Sequence, residues 1–297
     1  MSAATAMKRP TTSAAMVEGE FLFTDGDFRK IAAMMHGDAG IALHESKATL
    51  VYSRLAKRLR ALGLESFQDY CVLIEGEGGL DERQRMLAAL TTNVTRFFRE
   101  PHHFDHLRET VLPPLLAAAK AGGKIRLWSA ACSSGQEPYS AAMTILALAP
   151  EAASLDIKIL ATDIDPNMVA DARAGIYAEN LLTGIPDDYR RRWTAPAAGR
   201  PGAVQIGDEA RALITFNELN LIGEWPMKGR FDAIFCRNVA IYFDDSTQAR
   251  LWSRFAPLVA PGGRLYIGHS ERIGGPAAAC FEPDGITTYR RTREAVR

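Results

Sequence analysis

Two rhythms of apolar and polar positions run along the chain, and they change over near residue 124. Before it the apolar residues recur at helical spacing. Thr24, with Asp27 three positions on, predicts a capped helix over 25–35. The clearest amphipathic stretch is 44–62, where Val51, Tyr52, Leu55, Leu59 and Leu62 form one face. Lys47, Arg54 and Arg58 lie along its other side, flanked by Lys57. Further helices fit 66–74 and 80–90, and no strand pattern appears in this third. Residues 1–20 are rich in Ala, Thr and Ser, with little to bury, and are expected to be a disordered tail. The expected helical domain is 21–95.

Pro101 opens a helical run predicted to reach residue 119, and from Lys124 strand and helix alternate. Strands are predicted at 125–129 and 156–161, helices at 137–147 and 167–174. The rhythm breaks after Ala174: two short β-like runs, 203–206 and 212–216, predict a small antiparallel insert at about 178–218. It resumes with FDAIFC (231–236), a helix over 246–258 and a strand at 264–268. The last strand, 287–291, follows without a crossover helix and must pair antiparallel. The expected fold is α/β: a Rossmann-like, mostly parallel sheet with an antiparallel last strand, over 96–297. This is the pattern of AdoMet-dependent methyltransferases. A small all-α N-terminal domain precedes it, and it carries the small antiparallel β insert.

The chemistry concentrates in IRLWSAACSSGQEPYS (125–140): a buried strand, a turn of small residues, then a helix. Such a turn lets the backbone approach a nucleotide. Only Gly135 of a G-x-G-x-x-G pattern is present, and Glu137 puts a negative charge where a phosphate would not want one. A nucleoside without phosphates is indicated, S-adenosylmethionine (AdoMet) foremost. Asp163 ends the second strand, where a carboxylate can accept both ribose hydroxyls. In TTNVTRFFRE (91–100), Asn93, Thr95, Arg96 and Arg99 surround Phe97 and Phe98. That density suits either a capped joint or a polar-lined site. His102 and His106 share a helix face, but no carboxylate or cysteine at matching spacing completes a ligand set, so no metal is expected.

Lys plus Arg and Asp plus Glu both number 35, so a nucleic-acid partner is not expected. The four cysteines are scattered, which disfavours a disulfide framework or a zinc site. With no spanning apolar stretch and no signal-like N-terminus, a cytoplasmic protein without membrane insertion is expected. The basic stripe of the 44–62 helix has two readings, a solvated face or a dock for an acidic partner.

Taken together, TTNVTRFFRE, WSAACSSGQEPYS, LATDID, FNELNL, FCRNVAIYFD and GHSE occur in the order seen in bacterial chemotaxis methyltransferases, which esterify glutamates on receptors, and the chain resembles that family over about 21–292. Gln136 and Ala240 are small departures from its pattern. The resemblance implies that Asn93, Thr95 and Arg99 contact AdoMet or the substrate carboxylate. It puts Glu137 at the ligand's positive end, Asp163 on the ribose and Asn220 and Leu221 beside the adenine. Arg237 and Asn238 would line the cleft near the amino-acid part. Arg99 and Tyr242 would orient the attacking oxygen, and S-adenosylhomocysteine would be the product. The implied partner is the helical cytoplasmic domain of methyl-accepting receptors, with Lys47, Arg54, Lys57 and Arg58 complementing its acidic surface and the enzyme acting as a monomer. In similar enzymes the antiparallel insert grips a receptor peptide by strand addition.

Four other readings compete. A nicotinamide oxidoreductase is disfavoured by the glycine-poor loop, Glu137 and the antiparallel last strand. A nucleic-acid N-methyltransferase commonly carries an N-P-P-Y-like tetrad, and CRNVAIYF has no prolines. A receptor-binding protein without turnover, or an AdoMet-dependent enzyme with another substrate, is separated from the first reading only by assay.

Overall fold

The computed structural model describes residues 15–292 and divides into two compact units that part between Leu90 and Thr91. The first unit holds four helices: α1 (Asp25–Ala39), α2 (Ala48–Leu62), α3 (Phe67–Glu75) and α4 (Leu80–Leu90). Thr24 caps α1 in both directions, its hydroxyl accepting from the Asp27 amide while the Asp27 carboxylate accepts from the Thr24 amide at 2.9 Å. Ser66 caps α3 in one direction, its hydroxyl accepting from the Asp69 amide. The helices close over a core that includes Phe23, Ile31, Met35, Val51, Leu55, Leu59 and Phe67, all fully buried. Of the expected disordered tail, residues 1–14 lie outside the described residues. Residues 15–20 fold back: Ala15 bridges Thr24, the Met16 amide donates to the Phe23 carbonyl and Glu20 pairs with Arg60.

The basic stripe on α2 is not one surface. Arg58 turns onto α4 and grips Glu82 with Nε at 2.9 Å and Nη2 at 2.5 Å, and the Tyr70 hydroxyl donates to the same carboxylate at 3.0 Å. Glu82 is 6% exposed, so this is a nearly buried ion pair. Arg54 donates to the Ala89 and Leu90 carbonyls, satisfying orphan acceptors at the end of α4. Arg54 and Arg58 are half-buried, and their guanidiniums complete the contact of α2 with α4. Lys47 and Lys57 are exposed. An Arg58→Met variant should lose about 3 kcal/mol of stability in chemical denaturation, because it strands a buried carboxylate. Lys57→Glu should change it by less than about 0.5 kcal/mol.

The second unit opens with α5 (His102–His106) and α6 (Leu112–Lys120), joined by a π-helical turn, Leu107–Val111. The expected unbroken helix slips register here. Pro113 and Pro114 have no N–H to continue the ladder, and the Leu112 amide bonds the Leu107 carbonyl instead. Then follow β1 (Ile125–Ala130), α7 (Gln136–Leu148), β2 (Ile157–Asp163), α8 (Pro166–Ala174), β3 (Ile176–Ala178), α9 (Asp187–Trp193), β4 (Thr194–Pro196), β5 (Ala203–Ile206) and α10 (Asp208–Ala212). The chain ends through β6 (Ile214–Glu218), β7 (Phe231–Cys236), α11 (Asp245–Phe255), β8 (Val259–Ile267), β9 (Phe281–Gly285) and β10 (Thr288–Arg291).

The main sheet has the order β6-β2-β1-β7-β8-β10-β9, parallel except for the last two strands. β3, β5 and β4 make the small antiparallel sheet of the insert. The second run assigned to that insert belongs elsewhere: it becomes β6, parallel to β2, with Ile159 opposite Ile214 and Ala161 opposite Phe216. Ile214 and Phe216 alternate onto the buried face, an amphipathic strand that an antiparallel pair or a sheet edge would show equally. Two antiparallel strands, not one, close the far edge, since β9 and β10 form a hairpin on β8.

The strand order places the site. From β1 the chain steps outward to β2 and β6, then returns to β7 on the other side of β1. The crevice beyond the carboxyl ends of β1 and β7 is therefore the topological switch point, where open α/β sheets take ligands.

Candidate active site

The loop leaving β1 carries Ala131 and Ser133 at positive φ (60° and 50°), and ends on Gly135 at 96°. A side chain at Gly135 would put its Cβ 2.8 Å from the Ala172 Cβ. The turn is therefore pressed against α8 and stays thin above the sheet. Phe98, Glu100, Asn238 and Thr287 are the other non-glycine residues at positive φ among those described. Phe98 and Glu100 precede α5 and Asn238 follows β7, so this backbone strain gathers on the segments that build the crevice wall.

Glu137, in the first turn of α7, accepts from the Ser129 hydroxyl at 2.7 Å and from Arg237 Nη1 at 3.0 Å. Arg237, directly after β7, has a side chain only 2% exposed and also lies 3.3 Å from Glu100 Oε2. Its other terminal nitrogen donates to the Arg99 carbonyl. One guanidinium thus joins two carboxylates and the backbone of the TTNVTRFFRE segment. Burial raises the Glu137 carboxyl, and Arg237 and Ser129 oppose it. Burial pushes Glu100 the same way, but Arg237, Asn238 and His269 more than offset that and bring it down to about 2. The cluster carries two carboxylates against one guanidinium, which suits an ammonium or sulfonium group of a ligand.

Asp163 ends β2 nearly buried, with Oδ2 accepting from the Ser133 amide at 2.7 Å and Oδ1 from the Asp165 amide at 2.9 Å. Burial raises its carboxyl and these amides counter it. Asp165 caps α8 through the Asn167 amide and accepts from Asn93 Nδ2 at 3.0 Å, while the Ser133 hydroxyl donates to the Asn93 carbonyl. Asn93 is thereby stapled to the loops after β1 and β2. The Leu219 amide donates to the Asp163 carbonyl, which brings the Asn220–Leu221 turn to the same end of the sheet. Arg254 holds that turn, donating to the Leu221 carbonyl at 2.8 Å and lying 3.9 Å over the Trp225 ring. Arg99 donates to the Val94 carbonyl at 3.0 Å, and Thr95 and Tyr242 are half-buried.

Glu271 is the group the residue-by-residue reading missed. It is 2% exposed and accepts from the amides of Asn238 at 3.0 Å, Val239 at 2.9 Å, Ala240 at 2.7 Å and Gly268 at 2.5 Å. The carboxylate caps the 3₁₀ turn Ala240–Tyr242 and sets Asn238, whose side chain donates to Glu100 Oε1 at 3.3 Å. The motif GHSE contained it, but only the fold shows which backbone it serves. Glu100 and Arg254 escaped notice for the same reason. Lys47, Arg54, Lys57 and Arg58 belong to the helical unit and are not part of this cluster. Among the described residues no helix is long and apolar enough to cross a membrane.

A switch-point crevice lined by a thin loop, a strand-end aspartate and a mixed-charge cluster defines a nucleoside-binding α/β protein of the methyltransferase type. The chain belongs to the chemotaxis protein methyltransferase family. Residues 93–289 match the family described as "CheR methyltransferase, SAM binding domain", and residues 26–91 match "CheR methyltransferase, all-alpha domain". Similar proteins include a probable chemotaxis protein methyltransferase of Rhizobium etli, 55% identical over 89% of this chain and 98% of its own length. The chemotaxis protein methyltransferase of Klebsiella aerogenes is 41% identical over 97% of this chain and all of its own, and that of Escherichia coli 42% identical over 84% and 85%. AdoMet is the cofactor, and the protein is an AdoMet-dependent methyltransferase of chemotaxis.

Proposed function

We propose that the enzyme methylates ionised glutamate side chains of chemotaxis receptors, giving glutamate methyl esters and S-adenosylhomocysteine. The observation that supports this reading is that, among the described residues, the buried carboxylates of the crevice wall are held by backbone and side-chain partners, none standing free as a base. Glu137, Glu100, Arg237 and Asp163 are each engaged by neighbouring polar groups. An alcohol or amine nucleophile would need a base, whereas a glutamate carboxyl in water titrates near about 4.3 and is already ionised at neutral pH.

AdoMet, when bound, supplies a methyl group on a sulfonium whose leaving group is a neutral thioether, so no acid is needed either. In this reading Asn93, Thr95, Arg99, Glu137, Asp163, Asn220, Leu221, Arg237 and Asn238 hold the cofactor. Glu137 meets its cationic end and Asp163 its ribose, with lone pairs left over from their backbone and side-chain bonds. Arg99 and Tyr242 orient the attacking oxygen, and rate comes from in-line placement and exclusion of water. The partner is the helical cytoplasmic domain of the receptor, an acidic surface that Lys47, Arg54, Lys57 and Arg58 complement. The enzyme acts in the cytoplasm as a monomer.

Transfer of labelled methyl to receptor, released as methanol by mild base, tests the substrate assignment. Base-stable label, or none, contradicts it and favours another acceptor or a binding role without turnover. Arg99→Ala should lower kcat by about a hundredfold, roughly 2.7 kcal/mol of barrier, while thermal stability changes by less than about 1 kcal/mol. Unchanged turnover in that variant would remove Arg99 from its role.

A further inference from the structure

We propose that Glu100, His102 and His103 form a binding site for one divalent transition-metal ion of the zinc class. One ligand atom from each lies within 4.8 Å of the others. Those atoms, Glu100 Oε2, His102 Nε2 and His103 Nδ1, are buried and have no hydrogen-bond partner, and the His103 side chain is wholly buried. His102 and His106, the pair that helical spacing singled out, do not act together. His106 turns away to the Tyr266 hydroxyl at 3.0 Å and to Asp284 at 3.3 Å. The carboxylate that spacing did not offer comes instead from Glu100, just ahead of α5.

The tautomer of His103 makes the case. Its Nε2 lies 3.1 Å from the Ile286 carbonyl and 2.9 Å from the Thr287 hydroxyl. With Nε2 protonated toward the Ile286 carbonyl, which only accepts, Nδ1 is left with a lone pair. That lone pair is 3.7 Å from Glu100 Oε2, an atom that also only accepts. Arg237 already meets Glu100 Oε2 at 3.3 Å, so the buried Nδ1 lone pair of His103 beside it is the group left without a positive partner. The spacing matches two ligands each about 2.1 Å from a common ion.

The outer contacts are those that orient metal ligands. A backbone carbonyl holds His103 through its far nitrogen, and Asn238 Nδ2 and His269 Nδ1 hold Glu100 through Oε1, each at 3.3 Å. Arg237 also lies 3.3 Å from Glu100 Oε2 and is shared with Glu137, so the ion and the cofactor's cationic end would draw on the same surplus negative charge. Two imidazoles and one carboxylate select zinc, cobalt or nickel over magnesium or calcium. The ion would fix the Glu100–His103 segment at the start of α5, beside the cluster that faces the cofactor.

The test uses the full-length protein, stripped with a chelator and titrated with Co²⁺ alone. One equivalent should bind and give the d–d absorption of a nitrogen- and oxygen-ligated ion. Both His102→Gln and His103→Gln should weaken binding at least tenfold. His102 is only half-buried, so its variant should keep the wild-type circular dichroism and melting of the metal-free protein. Absence of binding to the wild type would overturn the proposal in favour of a buried water. Equal binding by the His102→Gln variant would assign the metal to histidines elsewhere and overturn it too.

Discussion

An Arg237→Met variant should lose about 3–5 kcal/mol of folding stability and more than about a hundredfold in methyl transfer, the larger of the two effects expected here. Arg237 is nearly buried and faces both Glu137 and Glu100. Methionine fills much of its volume but leaves two carboxylates without their shared counter-charge. A buried pair contributes little net stability when intact, and breaking it on one side costs far more, because the stranded charge has lost both water and partner. The backbone is affected as well, since the guanidinium donates to the Arg99 carbonyl. Urea denaturation and a labelled-methyl assay measure the two losses. Adding Glu137→Gln to the variant should restore part of the stability, by removing one stranded charge, but none of the activity. A double variant that is less stable than Arg237→Met alone would contradict the counter-charge account.

The second large effect is expected at Glu271. Glu271→Gln replaces an acceptor-only group by one that must turn an NH₂ toward backbone N–H donors, at a cost of roughly 3 kcal/mol, given about 1.5–3 kcal/mol for a hydrogen bond to a charged group. The loop carrying Arg237, Asn238 and Tyr242 should loosen before the sheet does. Hydrogen exchange should therefore quicken at the Val239, Ala240 and Tyr242 amides, with β1 and β7 still protected. Methyl transfer should fall at least tenfold, because Asn238 and the turn bearing Tyr242 lose their anchor. Unaltered exchange at those amides would show that Glu271 does not hold the loop.

How much of the fold and site is legible in the sequence depends on the range of each interaction. Local signals read well: the Thr24–Asp27 capping box, the Leu80–Leu90 helix and the β1–loop–α7 phosphate-averse turn are all decided within about a dozen residues. Pairing partners do not read, because an alternating strand carries no mark of its neighbour. Ile214 and Phe216 look the same beside β5 or beside β2, and only the sheet puts them on β2. Long side chains mislead for a related reason. On a helical wheel Arg54 and Arg58 lie away from the apolar face, yet their stems bend back to α4. Asn93, Glu137, Asp163, Arg237 and Asn238 lie at one end of the sheet. The groups that position them, Glu100, Arg254 and Glu271, act across 30 to 138 residues of sequence, where no spacing rule reaches.

The claim on which the rest depends is where the cofactor sits. Titrating the full-length protein with S-adenosylhomocysteine while following backbone amide exchange tests it directly. The account predicts one equivalent bound, with new protection concentrated at 131–137, 163–165 and 237–242. Saturation that leaves those segments unchanged and protects another part of the chain would contradict it.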